Sequence, residues 1–225
     1  MKIGLLTVSK SCCDIERVNL SRTRDPESTK RNILAAAKME FATKGLSGAR
    51  VDDIANVAKV NKRMIYHYFE SKENLFKQVI EKAYLDIREA ELKLNLEHLD
   101  AKSALETLVR FTWKYYLDNP EFIRLVNSEN LHHARHLKAS KEVVQANRNY
   151  VGLVQSILDR GVQEGEFRDQ IDPVNLNITI AAIGYYYLNN RFTGSIIFEQ
   201  DLMDSEALDK RLEFNIETIL KLVSR

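Results

Sequence analysis

The stretch VDDIANVAKVNKRMIYHYF, residues 51–69, decides the fold of the N-terminal part of the chain. Apolar residues in its first half recur at i, i+3, i+4 and i+7, which is the spacing of one helix face. After an interruption at residues 59–61, Ile65 and Phe69 resume an apolar face, and Asn61 can cap this next helix. Two short helices joined by a tight turn predict a helix-turn-helix, a motif whose second helix enters the major groove of DNA.

The face opposite Ile65 collects charged and aromatic side chains. Lys62 and Tyr66 are one helical turn apart, and so are Arg63 and His67. Basic side chains attract phosphate, an arginine can donate twice to guanine, and a tyrosine hydroxyl can donate to a phosphate oxygen. An alternative is that the three rings at 66–68 only pack the core of a small domain.

Composition and charge fit this interpretation. The 225 residues suit one large domain or two smaller ones, and the scarcity of glycine (8) and proline (3) favours helices. The net charge of the whole chain is only +1, whereas residues 21–72 contain 11 basic and 6 acidic residues, a net charge of +5. This distribution predicts that only the N-terminal unit, which contains residues 21–72, binds a polyanion such as DNA.

Residues 1–24 are expected to be a disordered extension outside the fold. They contain the two cysteines, Cys12 and Cys13, whose adjacency provides neither a disulfide framework nor a complete zinc site. The apolar start is too short for a secretory signal, and no stretch approaches the length of a membrane span. We therefore expect a cytoplasmic protein without a membrane partner or a cofactor.

Helical periodicity continues to the end of the chain and predicts an all-α fold. A first helix starts at the Asp25-Pro26 pair and ends near Gly45, and a fourth starts after Ser71 and continues past Leu92. Further helices are predicted near 101–118, 120–131, 137–163, 173–190 and 205–224.

The segment from Phe41 onwards, FATKGLSGARVDDIANVAKVNKRMIYHYFESKENLFKQVI, resembles the DNA-binding signature of TetR-family transcriptional regulators. The motif elements are Phe41–Gly45, Val51–Ala55, Tyr66–Phe69 and Ser71–Leu75. The resemblance implies a homodimer that binds a palindromic DNA operator. It also implies a three-helix DNA-binding domain at 25–72, joined by a long helix to a helical domain at 73–225 for effector binding and dimerisation. With Arg50 and the helix cap added, the expected DNA-binding residues are Arg50, Asn61, Lys62, Arg63, Met64, Tyr66, His67, Tyr68 and Lys72.

Three residues depart from the family pattern. Ala49 and Arg50 stand where a capping serine or threonine is usual, and Arg50 could reach a phosphate instead. Lys59 stands where the turn usually has glycine. Either Lys59 adopts the left-handed conformation, at a cost of about 1 kcal/mol, or the turn differs.

Aromatic and amide residues in the second half are candidates for an effector pocket, although each could simply belong to the core. Their mixture suggests a planar or acidic small molecule. The expected ligand-binding residues are Phe111, Trp113, Tyr116, Phe122, Asn127, Asn130, His133, Tyr185 and Phe192.

The run SENLHHARHL, residues 128–137, offers a second polar cluster. Its helical spacing would allow a transition metal, an anionic organic ligand bound with the help of Arg135, or purely structural contacts at a helix end. No metal is assigned, and the weak candidate ligands are Glu129, His132, His133 and His136.

The last two long helices are expected to form the dimer interface, and the family resemblance implies that two such pairs make a four-helix bundle across the two-fold axis. Part of their apolar face could instead pack within one chain. The leading prediction is a repressor, not an enzyme, that a small-molecule effector releases from DNA. The alternatives are an enzyme that uses the Glu129–His136 cluster and an architectural DNA-binding protein without an effector. The expected interface residues are Val174, Ile178, Ala181, Ala182, Leu212, Ile216 and Leu220.

Overall fold

A computed structural model describes residues 25–225, and the expected extension at 1–24 lies outside the described residues. The described part is all-α, and its only β feature is an isolated bridge between Phe167 and Ser224. No helix in this part is long and apolar enough to cross a membrane. The helices are α1 (Pro26–Gly48), α2 (Val51–Ala58), α3 (Lys62–Phe69), α4 (Lys72–Leu92), α5 (Ala101–Asp118), α6 (Pro120–Leu131), α7 (Lys141–Gln163), α8 (Pro173–Asn189), α9 (Arg191–Ile197) and α10 (Ser205–Val223).

Helix α1 starts as its sequence predicts, and the predicted end near Gly45 is a kink three residues before the helix ends at Gly48. The Asp25 carboxylate accepts hydrogen bonds from the backbone of Glu27 and Ser28, at 3.1 and 3.2 Å, and Pro26 fills the first helical position. At the other end Gly45 has φ 65°, a conformation that glycine adopts without a steric penalty. The chain therefore bends at Gly45 before it reaches α2.

Helices α2 and α3 have the predicted bounds, and Lys59 between them is left-handed at φ 54° and ψ 42°. The first of the two possibilities for this turn is therefore the one found. The Val60 backbone donates to the Ala55 carbonyl at 3.0 Å, which closes the end of α2. Asn61 caps α3 by accepting from the Arg63 backbone at 2.9 Å.

Two predicted boundaries in the second half were wrong. Helix α4 ends at Leu92, because Asn95 is left-handed and the chain turns so that Leu96 enters the core. Helix α7 begins at Lys141 and not near 137, because the preceding residues form turns with positive φ at His133 and Ala134. Helix α9, which follows α8 after a single residue, was not predicted.

Two buried clusters make up the core. The first joins α1–α4 to α6 and the middle of α5, and the second joins α5, α7, α8 and α10. Helix α1 packs along α6, where Lys38 and Glu121 form an ion pair at 2.5 Å. The helix-turn-helix unit is therefore packed directly onto the larger helical region, in addition to being linked to it through α4.

Candidate nucleic-acid interface and interior polar cluster

Helix α3 is anchored by two residues and presents the others outward. Ile65 and Phe69 are 1% and 0% exposed and lie in the first core cluster. Tyr66 is 43% exposed, and Arg63 and His67 are also exposed. Because these three side chains share the side of α3 that faces away from the core, they can contact a groove without unfolding the domain.

The third ring of the 66–68 triplet packs. Tyr68 is half-buried against the first core cluster and lies edge-on to Phe69, with ring centroids 6.4 Å apart. It also lies edge-on to His67 at 5.2 Å. The alternative that the rings at 66–68 only pack the core therefore holds for Tyr68, whereas Tyr66 and His67 are exposed. Met64 is half-buried.

Two of the expected cationic contacts are occupied within the chain. The Lys62 Nζ lies 2.9 Å from the Asp52 carboxylate of α2, and both side chains are exposed. Hydrogen bonding to Asp52 raises the pKa of Lys62. The Lys72 Nζ donates to the Ala49 carbonyl at 3.2 Å, which ties the start of α4 to the loop before α2. In this structure Lys72 therefore stabilises the loop before α2, whereas the sequence predicts that it contacts a phosphate.

The guanidinium groups of Arg50 and Arg63 have no hydrogen bond or ion pair with any residue of the part that the structure describes. Arg50 occupies the cap position of α2 without a side-chain cap, as the missing hydroxyl implies, and its backbone donates to Glu40 at 3.1 Å. Both exposed arginines are therefore free to meet an incoming acceptor.

An exposed ion-pair network fixes α1 against α2. The Lys44 Nζ lies 2.8 Å from the Asp53 carboxylate and 2.9 Å from that of Glu40. Hydrogen bonding raises the pKa of Lys44 and lowers that of Asp53. This network holds the position of α2 and contributes no free cation to the outer surface.

The expected effector residues are only partly brought together. Tyr116 stacks on Phe122 at 5.9 Å and lies edge-on to Tyr185 at 6.5 Å, and the Tyr185 hydroxyl donates to Asn127. Trp113 borders this group near Gly184 and Tyr187. The other four expected residues lie apart from it: Phe111 pairs with Tyr115, Asn130 donates to Val126, and His133 and Phe192 are exposed.

The interior also holds an arginine and a glutamate that were not among the predicted site residues. Glu91 is 1% exposed, and the Arg88 guanidinium lies 3.9 Å from the ring centroid of Tyr150. Arg88 Nε and Glu91 Oε2 are 3.0 Å apart, but they do not meet in hydrogen-bond geometry. Burial raises the pKa of the Glu91 carboxyl to about 8, against the opposing effect of Arg88. The i, i+3 spacing of Arg88 and Glu91 on α4 was visible in the sequence, but their burial was not.

A cavity of about 410 Å³ opens beside this pair, between α4 and α7. Its volume is within the range of about 300–1,000 Å³ that is usual for small-molecule sites. None of its lining residues is acidic and two are arginines. The lining residues are Tyr84, Arg88, Leu137, Val143, Val144, Asn147 and Arg148.

The histidine-rich loop after α6 forms structural contacts. Glu129 is 2% exposed and accepts from the His136 ring at 2.6 Å and from the backbone of His136 and Leu137, at 2.8 and 3.1 Å. The His136 ring lies edge-on to Phe76 of α4 at 5.0 Å. No group of three possible metal ligands occurs among residues 25–225, His132 and His133 included.

The expected dimer residues divide between the surface and the core. On α8, Val174 and Ile178 are 45% and 57% exposed, Ala182 is also exposed, and Ala181 is half-buried. On α10, Ile216 is only 5% exposed and belongs to the core of one chain, so it is unavailable to a partner. Leu212 and Leu220 are half-buried against the core, and Phe214 presents the exposed apolar ring of α10 instead.

These features define a class of protein. A short, well-anchored helix with exposed arginine, tyrosine and histidine, mounted on a larger helical region, is the architecture of a helix-turn-helix DNA-binding transcriptional regulator. The family profile described as "Bacterial regulatory proteins, tetR family" matches residues 33–79, and the one described as "Tetracyclin repressor-like, C-terminal domain" matches residues 102–219. The chain belongs to the TetR family of transcriptional regulators.

Relatives and solved structures agree with this assignment. The HTH-type transcriptional repressor NicS of Pseudomonas putida is 38% identical over 204 residues, which cover 91% of this chain and 96% of NicS. The HTH-type transcriptional repressor SCO4008 of Streptomyces coelicolor is 31% identical and covers 71% of this chain and 78% of its own length. The crystal structure of the putative transcriptional regulator SCO4942 from the same species superposes with a TM-score of 0.65 at 24% identity, covering 87% of this chain and 98% of that one. NicS and SCO4008 are both named as transcriptional repressors, and the SCO4942 structure shares the fold.

Proposed function

We propose that this regulator is a homodimeric repressor that leaves a palindromic operator when a small molecule binds in its C-terminal region. The observation that best supports the DNA-binding part is the exposed face of α3, where Arg63, Tyr66 and His67 stand over a buried anchor. An arginine on such a face can donate twice to a guanine, while tyrosine and histidine contact the backbone or a methyl group.

Operator binding is tested by fluorescence anisotropy on the DNA that flanks the gene of the protein, followed by selection from a random duplex library. We expect a palindromic site with half-sites about one helical turn or a multiple apart, bound with an affinity that falls steeply with salt. The absence of specific, salt-sensitive binding both in the flanking DNA and in the selected library would refute the proposal.

The dimer is supported by an unpartnered apolar surface on the last helices. Val174, Ile178 and Tyr186 follow one face of α8 at spacings of four or eight residues and are 45–66% exposed, and Phe214 of α10 is 57% exposed. Exposed apolar patches of this kind are characteristic of protein–protein interfaces. Two copies that bury these faces against each other would form the four-helix bundle that the family resemblance implies.

Sedimentation velocity with a matched pair of variants tests the dimer. Ile178→Glu places a charge in the proposed interface, and Leu131→Glu places the same charge on an 80% exposed residue at the end of α6. We expect the first variant to sediment as a monomer and the second as a dimer. A dimer that survives both Ile178→Glu and Phe214→Glu would place the interface elsewhere.

The effector part of the proposal is supported by the position of the cavity relative to α4. Tyr84 and Arg88 contribute to the cavity from α4, and the same helix begins beside α3. Leu137 contributes from the loop that His136 fastens to Phe76. A ligand in the cavity therefore contacts two elements that are packed on the DNA-binding unit. These elements would have one arrangement in the DNA-bound regulator and another in the released regulator. The ligand lowers operator affinity to the extent that it binds the released arrangement more tightly.

A further inference from the structure

We propose that the cavity between α4 and α7 is the effector site and that its ligand is an organic monocarboxylate with a small apolar body, held by Arg88. This inference rests on the proposed function, because it names the class of effector. Its first support is the lining of the cavity. Tyr84, Leu137, Val143 and Val144 provide apolar surface, while the charged lining residues, Arg88 and Arg148, are both positive.

The second support is the unmet hydrogen-bonding capacity of Arg88. Only 15% of the Arg88 side chain is exposed, and its buried Nε and Nη1 have no hydrogen-bond acceptor. Buried donors without acceptors are uncommon in folded proteins and call for an explanation. A guanidinium presents its donors as a planar fork that matches the two oxygens of a carboxylate. A carboxylate that reaches this guanidinium would therefore supply acceptors that the chain does not.

The partner of Arg88 within the chain does not meet this need. Glu91 lies 3.0 Å from Arg88 Nε without hydrogen-bond geometry, and its own Oε2 has no donor. Burial raises the pKa of Glu91 to about 8, which weakens the compensation that this carboxyl gives to the charge of Arg88 near neutral pH. The Tyr150 ring covers one face of the guanidinium and adds no negative charge. The interior of the site therefore has a positive potential that favours one anionic group.

The size and polarity of the cavity select among anions. About 410 Å³ exceeds what a bare inorganic anion fills, and the apolar lining stabilises a ligand that buries hydrocarbon. Arg148 is exposed at the cavity, and no hydrogen bond or ion pair engages it within residues 25–225. It can attract an anion towards the opening. One buried arginine matches one carboxylate, with the apolar part of the ligand against Leu137 and Val143.

Calorimetry on the full-length protein without DNA tests the site, with benzoate as the probe and benzamide as its neutral counterpart of the same shape. Benzoate is expected to bind measurably and benzamide at least about tenfold more weakly, since the charge-assisted pair is lost. Inorganic phosphate is the control for a site that accepts any anion. Benzamide binding as tight as benzoate, or phosphate binding as tight as benzoate, would overturn the assignment of a monocarboxylate.

Three variants locate the binding. Arg88→Met removes the charge but keeps an apolar stem, Val144→Trp fills the cavity from a residue that is 48% exposed, and Arg124→Met removes an arginine that lines a separate cavity of about 200 Å³. We expect the first two to weaken benzoate binding about tenfold or more, and the third to leave it unchanged. Val144→Trp keeps the test decisive if Arg88→Met does not fold.

The outcomes separate this inference from the proposed function. Unchanged benzoate binding in Arg88→Met or in Val144→Trp would place any anion site elsewhere and overturn the inference. Failure of benzoate, 1-naphthoate and hexanoate to bind the wild-type protein at millimolar concentration would overturn it as well. Operator binding is measured separately, without any of these acids. A protein that binds its operator but no carboxylate therefore refutes only the inference, and one that binds carboxylates but no operator refutes only the proposed repressor.

Discussion

Arg63 on α3 and Arg88 on α4 have the same side chain, but the first is exposed to solvent and the second is largely buried. Arg63 is exposed on a helix held by Ile65 and Phe69, so solvent can satisfy its donors. Arg88 is largely buried, and two of its nitrogens have no acceptor. The two arginines therefore make different demands on their partners. The exposed arginine needs no partner within the chain, whereas the buried arginine carries a desolvation penalty that its surroundings only partly offset.

This difference explains how each region can be regulated. An ion pair between exposed side chains contributes little to stability and exchanges readily, so the charges around α3 can change partners without disturbing the fold. A buried charge with incomplete hydrogen bonding carries a desolvation penalty that a complementary ligand relieves. The C-terminal region can thus gain stability from a bound acid, which is the differential interaction that an effector needs.

The largest expected effect separates the two faces of α3. Phe69→Ala removes a ring that is 0% exposed, and we expect it to lower the free energy of unfolding by about 3–5 kcal/mol. Tyr66→Ala changes a ring that is 43% exposed and should stay within about 0.5 kcal/mol of the wild-type protein while weakening operator binding. Urea unfolding and anisotropy measure the two quantities. A Tyr66→Ala variant as unstable as Phe69→Ala would show that the Tyr66 ring is a packing residue.

A pH-dependent effect is expected at the buried pair. Burial raises the pKa of Glu91 from 4.5 to about 8, so the native state retains a proton that the unfolded chain releases. The stability associated with the neutral carboxyl is complete below about pH 4.5 and is lost as the pH rises through about 8. The groups around Glu91 are Arg88 on its own helix, Tyr115 and Tyr116 on α5 and Tyr150 on α7.

Glu91→Gln tests this dependence, because the amide keeps the shape of the carboxyl without its charge. Above about pH 8 we expect the variant to be about 2–4 kcal/mol more stable than the wild-type protein, and near pH 4.5 to show no gain. Urea unfolding across this pH range is the measurement, with Glu97→Gln at an exposed glutamate as the control. A stability difference that does not change with pH would mean that Glu91 is charged in the native state throughout.

A smaller effect is expected at the exposed arginine. Arg63→Ala should weaken operator binding by about 1–3 kcal/mol and relax the preference at one base pair of each half-site, because a bidentate contact to a base is lost. Anisotropy against the selected operator and its single-base variants is the measurement. Arg124→Ala, at an exposed arginine of α6, is the control and should bind like the wild-type protein. A uniform loss over all base variants would instead make Arg63 a phosphate contact.

The sequence predicts the two regions unequally, and the reason is physical. The helix-turn-helix is local: Ile65 and Phe69, the Asn61 cap and the Lys59 turn lie within eleven residues, so their spacing indicates their surroundings. The cavity is assembled from α4, α7 and the loop between α6 and α7, and no spacing indicates which faces of distant helices meet. Glu129 and His136 were noticed as a polar run, but only the structure shows that their partners are each other and Phe76.

The smallest expected effect concerns the pair of Lys62 and Asp52, which lies beside the proposed DNA-binding face of α3. In the absence of DNA the Lys62 Nζ is 2.9 Å from Asp52, and both side chains are exposed. Asp52→Asn removes the acid that competes with phosphate, so operator affinity should rise a few-fold and the salt dependence should steepen by about one released counterion. The stability should change little, because an exposed pair is screened by water and salt. Asp53→Asn is the matched control: it breaks the neighbouring pair with Lys44, which supports α2, and should not raise affinity. A rise in affinity in both variants would mean that the net charge of the helix-turn-helix unit sets operator affinity, without a specific role for the release of Lys62.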